Sequence, residues 1–153
     1  MILYLDTSAL VKRYFNEQGS DQVALVIEQA STVATAIITR AEVSAVCARA
    51  VRTGILEKEE AFTHLQTFRG DWSDFLRLDL TENTISRADA LAWEQNLRGY
   101  DSVHLACALI WQEEMEEPVM LATYDKQLWR AAKAVGLIVF PEDLVKDEES
   151  GER

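Results

Sequence analysis

The sequence predicts an α/β protein with a short-stranded parallel sheet and helices on both faces. Two observations carry this. Short apolar runs alternate throughout with longer stretches whose apolar residues recur at steps of three and four, the pattern of strands buried on both sides by helices. No repeat, low-complexity segment or linker interrupts the alternation, so one domain is expected over residues 1–146, with an acidic tail over 147–153.

The elements follow in order. Ile2-Leu3-Tyr4-Leu5 reads as a buried strand ending at Asp6, and Thr7 to Phe15 as a short helix. Gly19-Ser20 breaks the chain; Ser20 can cap a helix carrying Val23, Val26 and Ile27. Thr32–Ala36 is a second strand. Thr39 opens a helix to about Thr53, with Val43, Val46, Cys47 and Ala50 on its apolar face and Gly54 as its stop. Glu57 to about Phe75 is helical, with Phe62, Leu65, Phe68 and Trp72 on one stripe. Leu76–Leu80 alternates like a half-exposed strand. A helix from Thr81 to about Gln95, a loop over 96–100, and an apolar helix from Asp101 come next. Pro118–Ala122 is a strand, Asp125 begins a helix ending near Gly136, and Leu137–Phe140 is the last strand, closed by Pro141.

Composition narrows the class. The chain has 153 residues, 48% of them hydrophobic, enough for one core. No apolar run approaches the ~18 residues of a membrane span, and no export signal precedes the first strand. Cys47 and Cys107 sit in alanine-rich apolar runs and read as buried free thiols in a reducing, cytoplasmic setting. The formal charge of −11 argues against a simple nucleic-acid binder. Part of it belongs to the tail, read as solvated; a divalent-cation site or a generally acidic surface accounts for the rest.

Four acids occupy positions that can converge at one end of such a sheet, outside the carboxyl ends of the strands. Asp6 follows the first strand and Asp125 the Pro118–Ala122 strand. Glu42 lies in the first turn of the helix after the second strand, and Asp101 starts the helix leading into the fourth. Taken singly, capping is the better account of three of them: Thr39-x-x-Glu42 has capping-box spacing, and Asp101 and Asp125 suit N-caps. Asp6 can cap too, but a charge joined to a buried strand calls for a partner.

Carboxylates without His or Cys suit the hard cations Mg²⁺ and Mn²⁺ rather than zinc. Two such ions about 3.5–4 Å apart can activate water and stabilise the leaving oxygen of a phosphodiester. Metal also reverses the local charge, so an acidic pocket can accept an anionic backbone. Ser8 and Thr123 stand two residues from Asp6 and Asp125, as caps or as hydrogen-bond support for the site. Lys12, Arg13, Arg40, Arg98, Lys126 and Arg130 lie near the acids; some could contact phosphates, but for most a solvated helix face is the better reading. His104 reads as a packed or hydrogen-bonded helix residue before it reads as a ligand.

The flanks of these acids resemble one family. Leu3-Tyr4-Leu5-Asp6-Thr7-Ser8-Ala9-Leu10 looks like the opening motif of PIN-domain ribonucleases. Thr39-Arg40-Ala41-Glu42-Val43 resembles their second motif, Arg98-Gly99-Tyr100-Asp101-Ser102-Val103-His104-Leu105-Ala106 the third, and Leu121-Ala122-Thr123-Tyr124-Asp125-Lys126-Gln127-Leu128 the fourth. The small single-domain form is similar to VapC-type toxins of toxin–antitoxin pairs. The resemblance implies a PIN-like three-layer α/β/α fold and a Mg²⁺- or Mn²⁺-dependent endoribonuclease acting on RNA. It also implies a homodimer neutralised by a cognate antitoxin. It makes Asp6, Glu42, Asp101 and Asp125 the catalytic, metal-binding acids, Asp6 and Asp101 foremost as direct ligands, with Ser8 and Thr123 as accessory hydroxyls.

Rival readings fare less well. A haloacid-dehalogenase-type phosphatase needs a second Asp where Ser8 stands, and a receiver domain wants an acidic pair that no segment before Asp6 supplies. A non-catalytic PIN-fold binding module, and an RNA-processing nuclease without a toxin role, are the alternatives kept.

Overall fold

The first strand, β1 (Ile2–Leu5), is buried along its whole length because it is the central strand of the sheet. The computed structural model describes residues 1–145; the acidic tail at 147–153 lies outside the described residues. Five strands pair in parallel in the order β3-β2-β1-β4-β5, where β2 is Thr32–Ala36, β3 Leu76–Leu78, β4 Val119–Ala122 and β5 Ile138–Phe140. The chain runs outward from β1 through β2 to β3, then returns to β4 on the other side of β1. The carboxyl ends of β1 and β4 therefore flank a topological switch point.

Side-chain alternation along β1 sorts the helices into two layers. Ile2 and Tyr4 pack with residues of α5 (Glu82–Gln95), α6 (Gly99–Met115) and α7 (Lys126–Ala134). Leu3 and Leu5 pack on the opposite face with α1 (Thr7–Leu10), α2 (Ser20–Gln29), α3 (Thr39–Arg52) and α4 (Lys58–Asp71). This is the three-layer α/β/α arrangement expected from the alternating strands and helices.

Several local expectations are corrected. The Thr7–Phe15 stretch is α-helical only to Leu10 and continues as a 3₁₀ turn over Val11–Arg13. The long helix from Glu57 likewise ends at Asp71, with a 3₁₀ turn over Trp72–Asp74. Phe62 lies off the covered stripe of α4 and is 56% exposed, whereas Phe68 is fully enclosed. Ser20 does not cap α2: its hydroxyl reaches back to the Phe15 carbonyl, and Gly19 at φ +93° holds the cap position. That φ strains any residue with a side chain, and a Cβ there would also meet the Tyr124 hydroxyl at 2.8 Å, so the tyrosine would have to shift. Cys47 and Cys107 are buried free thiols, as expected. Among the described residues, no helix is long and apolar enough to cross a membrane.

Candidate active site

At the switch point, one cleft of about 140 Å³ is lined by Asp6, Thr7, Ser8, Glu42, Arg98, Tyr100, Asp101, His104 and Asp125. All four acids expected from the sequence line it. A larger apolar groove of about 730 Å³ runs between α3 and α4 but shares no lining residue with the acids. Chemistry rather than size marks the site.

Asp6 ends β1 and caps α1, with Oδ1 accepting from the Ala9 amide at 2.9 Å and from the Ser8 hydroxyl at 2.8 Å. Thr123 donates to its Oδ2 at 2.6 Å from the end of β4. Thr123 in turn accepts the Asp125 amide at 3.0 Å, and Ser8 accepts the Tyr124 amide at 2.9 Å. The two accessory hydroxyls thus staple the ends of β1 and β4 across 117 residues of chain. Asp6 is only 4% exposed. Burial lifts its carboxyl above the ordinary value, although the nearby His104 and the Thr123, Ala9 and Ser8 hydrogen bonds offset part of the rise.

Glu42 does not serve a capping box. Thr39, its supposed reciprocal partner, is buried and bonds the Thr35 hydroxyl at 2.8 Å, and α3 starts without a side-chain cap. Glu42 is instead free to face the cleft, where its Oε1 accepts from Thr7 Oγ1 at 2.9 Å and meets His104 Nε2 at 2.7 Å. A carboxylate only accepts, so Nε2 carries the hydrogen. The other ring nitrogen, Nδ1, meets the Tyr4 hydroxyl at 2.7 Å. Burial alone would raise the Glu42 pKa, but the His104 hydrogen bond and charge, with the Thr7 hydroxyl, outweigh it and hold the group below its ordinary value. His104 is therefore a hydrogen-bonded helix residue, as read from sequence, and its partners are an acid of the site and the central strand.

Asp101 does not cap α6. The cap is Arg98, and Asp101 lies in the first turn, buried. Burial and the neighbouring Asp125 push its carboxyl up; Arg98 pulls it down. Asp125 caps α7 as expected, accepting the Leu128 amide at 2.9 Å. Arg98 spans the two acids, its Nε donating to Asp101 Oδ2 at 2.9 Å and its Nη2 to Asp125 Oδ2 at 2.5 Å. The sequence places Arg98 with five other basic residues near the acids, most of them read as solvated and some as able to contact phosphate. Its i,i+3 spacing to Asp101 was the available signal; its reach to Asp125 was not legible.

Among the described residues, no three acidic, His or Cys side chains are already gathered closely enough to hold an ion. The donor set nevertheless fits a hard cation: the acids offer oxygen only, Asp6 and Asp101 are desolvated with raised carboxyls, and a guanidinium already bridges Asp101 and Asp125. Asp6, Asp101, Asp125 and Glu42 are the residues that would hold it.

Residues 3–134 match the family model described as the PIN domain. Ribonuclease VapC45 of Mycobacterium tuberculosis (strain CDC 1551 / Oshkosh) is 32% identical over 148 residues, covering 94% of this chain and 97% of the relative. Ribonuclease VapC49 of Mycobacterium tuberculosis (strain ATCC 25618 / H37Rv) matches with the same figures. Of solved structures, PAE2754 from Pyrobaculum aerophilum is similar with a TM-score of 0.64 at 21% identity, covering 97% of this chain and 90% of that one. VapBC2 from Rickettsia felis, bound to a DNA fragment from its promoter, gives 0.62 at 18% identity, covering 91% of this chain and 97% of that one. The structures agree with the three-layer fold, and the family match spans all four acids: the chain belongs to the PIN domain family, with proteins named Ribonuclease VapC among its relatives.

Proposed function

We propose that this protein is a Mg²⁺- or Mn²⁺-dependent endoribonuclease and the toxin of a toxin–antitoxin pair. The observation that carries the reading is the convergence of Asp6, Glu42, Asp101 and Asp125 on one cleft at the β1/β4 switch point, two of them with carboxyls raised by burial. When bound there, the metal supplies Lewis acidity toward the phosphodiester and a more acidic water for in-line attack.

The residues have separate tasks. Asp6 and Asp101 are the direct ligands, and the desolvation that raises both makes a cation the favoured neighbour. Ser8, Thr123 and the Ala9 amide fix Asp6, so its oxygens need no reorganisation. Glu42 and Asp125 complete the ligand set, Glu42 aimed by Thr7 and His104, Asp125 by its cap on α7. The names of the relatives support RNA as the substrate, and the antitoxin partner is favoured by related complexes such as VapBC2. A cytoplasmic homodimer completes the proposal; light scattering of the purified chain gives its stoichiometry.

The test is cleavage of total RNA by wild type, Asp6→Asn and Asp101→Asn with Mg²⁺, Mn²⁺ or EDTA. Cutting by wild type alone, abolished by EDTA, is expected. Equal cutting by the variants, or cutting that ignores EDTA, overturns the mechanism. A folded wild type that cuts no RNA points instead to a binding module.

A further inference from the structure

Arg98 is fixed at its root and half-exposed along its side chain. Leu97 before it is buried, and Arg98 itself caps α6 with extended backbone, so its Cα is held by the core on one side and the helix on the other. Its side chain is 53% exposed and long enough to swing without moving either. The guanidinium ends between two carboxylates of the cleft, donating once to Asp101 and once to Asp125, and its Cζ lies 5.3 Å from the centre of the half-exposed Tyr100 ring. Tyr100 lines the same cleft.

The guanidinium already occupies Asp101 Oδ2 and Asp125 Oδ2, and the Leu128 amide takes Asp125 Oδ1, so a divalent metal competes with Arg98 for this pair. Like charges repel, and each oxygen has few lone pairs to share. We infer that Arg98 is an internal counter-ion: it holds the Asp101–Asp125 pair in the metal-free protein, is displaced when a divalent cation binds, and then meets a phosphate of the RNA from the Tyr100 side of the cleft. This rests on the reading of the four acids as a metal site. The guanidinium is suited to both stations, since its planar fork pairs as well with phosphate as with carboxylate, and an aromatic face stabilises it between the two.

The test compares wild type with Arg98→Gln. Calorimetric titration with Mn²⁺ alone should show the variant binding about tenfold more tightly, a modest gain because the ion pair is half exposed. In wild type labelled with ¹⁵N, the Arg98 side-chain Nε–H resonance, assigned by its loss in Arg98→Gln, should be sharp without metal. It should shift or exchange-broaden as Mg²⁺ saturates. With Mg²⁺ saturating, the variant's KM for RNA should rise several-fold, with kcat changed less. Equal Mn²⁺ affinity together with an unmoved Arg98 resonance overturns the inference while leaving the metal site standing. An unchanged KM overturns the phosphate contact. Failure of both proteins to bind Mn²⁺ or Mg²⁺ sinks the metal site and the inference with it.

Discussion

His104 reaches across 62 residues of chain to hold Glu42 at 2.7 Å, while its opposite ring nitrogen rests on the hydroxyl of Tyr4 in the central strand. The orientation of a cleft acid is thereby set by the core of the sheet. Tyr4 is fully buried, and burial keeps its phenol well above the ordinary value, so it stays a neutral hydrogen-bonding group. Tyr4→Phe should cost about 1 kcal/mol by urea denaturation and slow RNA cleavage several-fold, because the imidazole loses one of its two anchors. His104→Ala should cost roughly 3 kcal/mol, adding a cavity to the lost bonds. A Tyr4→Phe protein with wild-type midpoint and rate would show that the chain of contacts does not position Glu42.

Thr123 satisfies Asp6 and the Asp125 amide with one hydroxyl. Thr123→Val keeps the shape and removes the hydroxyl, leaving a buried carboxylate oxygen and a backbone N–H without this partner. The expected loss is about 2 kcal/mol, with cleavage reduced at least tenfold. Thr123→Ser should keep most of both. Urea midpoints and initial rates of the pair decide it; equal losses in Val and Ser would assign the effect to packing.

The raised carboxyl of Asp6 has a definite sign in pH-dependent stability. Its folded pKa lies above the unfolded one, so between the two the folded state holds more protons, and stability falls as pH rises through that window. Asp101 acts in the same direction. In EDTA, the melting temperature of wild type minus that of Asp6→Asn should therefore become more negative from about pH 4 to pH 7. The difference isolates Asp6 from the other acids of the chain, and a value flat across that range would count against the buried charge.

Metal should reverse this cost. At a hundredfold excess over its dissociation constant, Mn²⁺ should stabilise the fold by about 2.7 kcal/mol, raising the melting temperature by roughly 5–10 °C. EDTA should undo the shift, and Asp6→Asn and Asp101→Asn should show little of it. A melting curve of wild type indifferent to Mn²⁺ would remove the metal from the proposed mechanism.

The sheet was legible where burial dominates: β1 is apolar at all four positions, and Thr32–Ala36 ends where Thr39 restarts the chain as a helix. The convergence of the acids followed from strand-end placement in an open parallel sheet. What stayed hidden depends on long-range choice. Thr39 looks like a cap until Thr35 claims its hydroxyl, and Glu42 looks like its partner until His104 arrives from another layer. Helical spacing grouped Phe62 with Phe68, but spacing does not say how wide a stripe the sheet covers. Arg98 showed its near partner by spacing and concealed its far one, 27 positions away.

The staple between Asp6 and Thr123 also sets an order of assembly during synthesis. β1 is made before its neighbour β4, and the hydroxyl that fixes Asp6 comes 117 residues after that acid. Until then β1 lacks one of its two flanking strands, and Asp6 and Asp125 cannot meet. Until Thr123 and Asp125 have been added, a nascent chain thus has no assembled cleft, so synthesis of the first acid and completion of the four-acid site are separated in time.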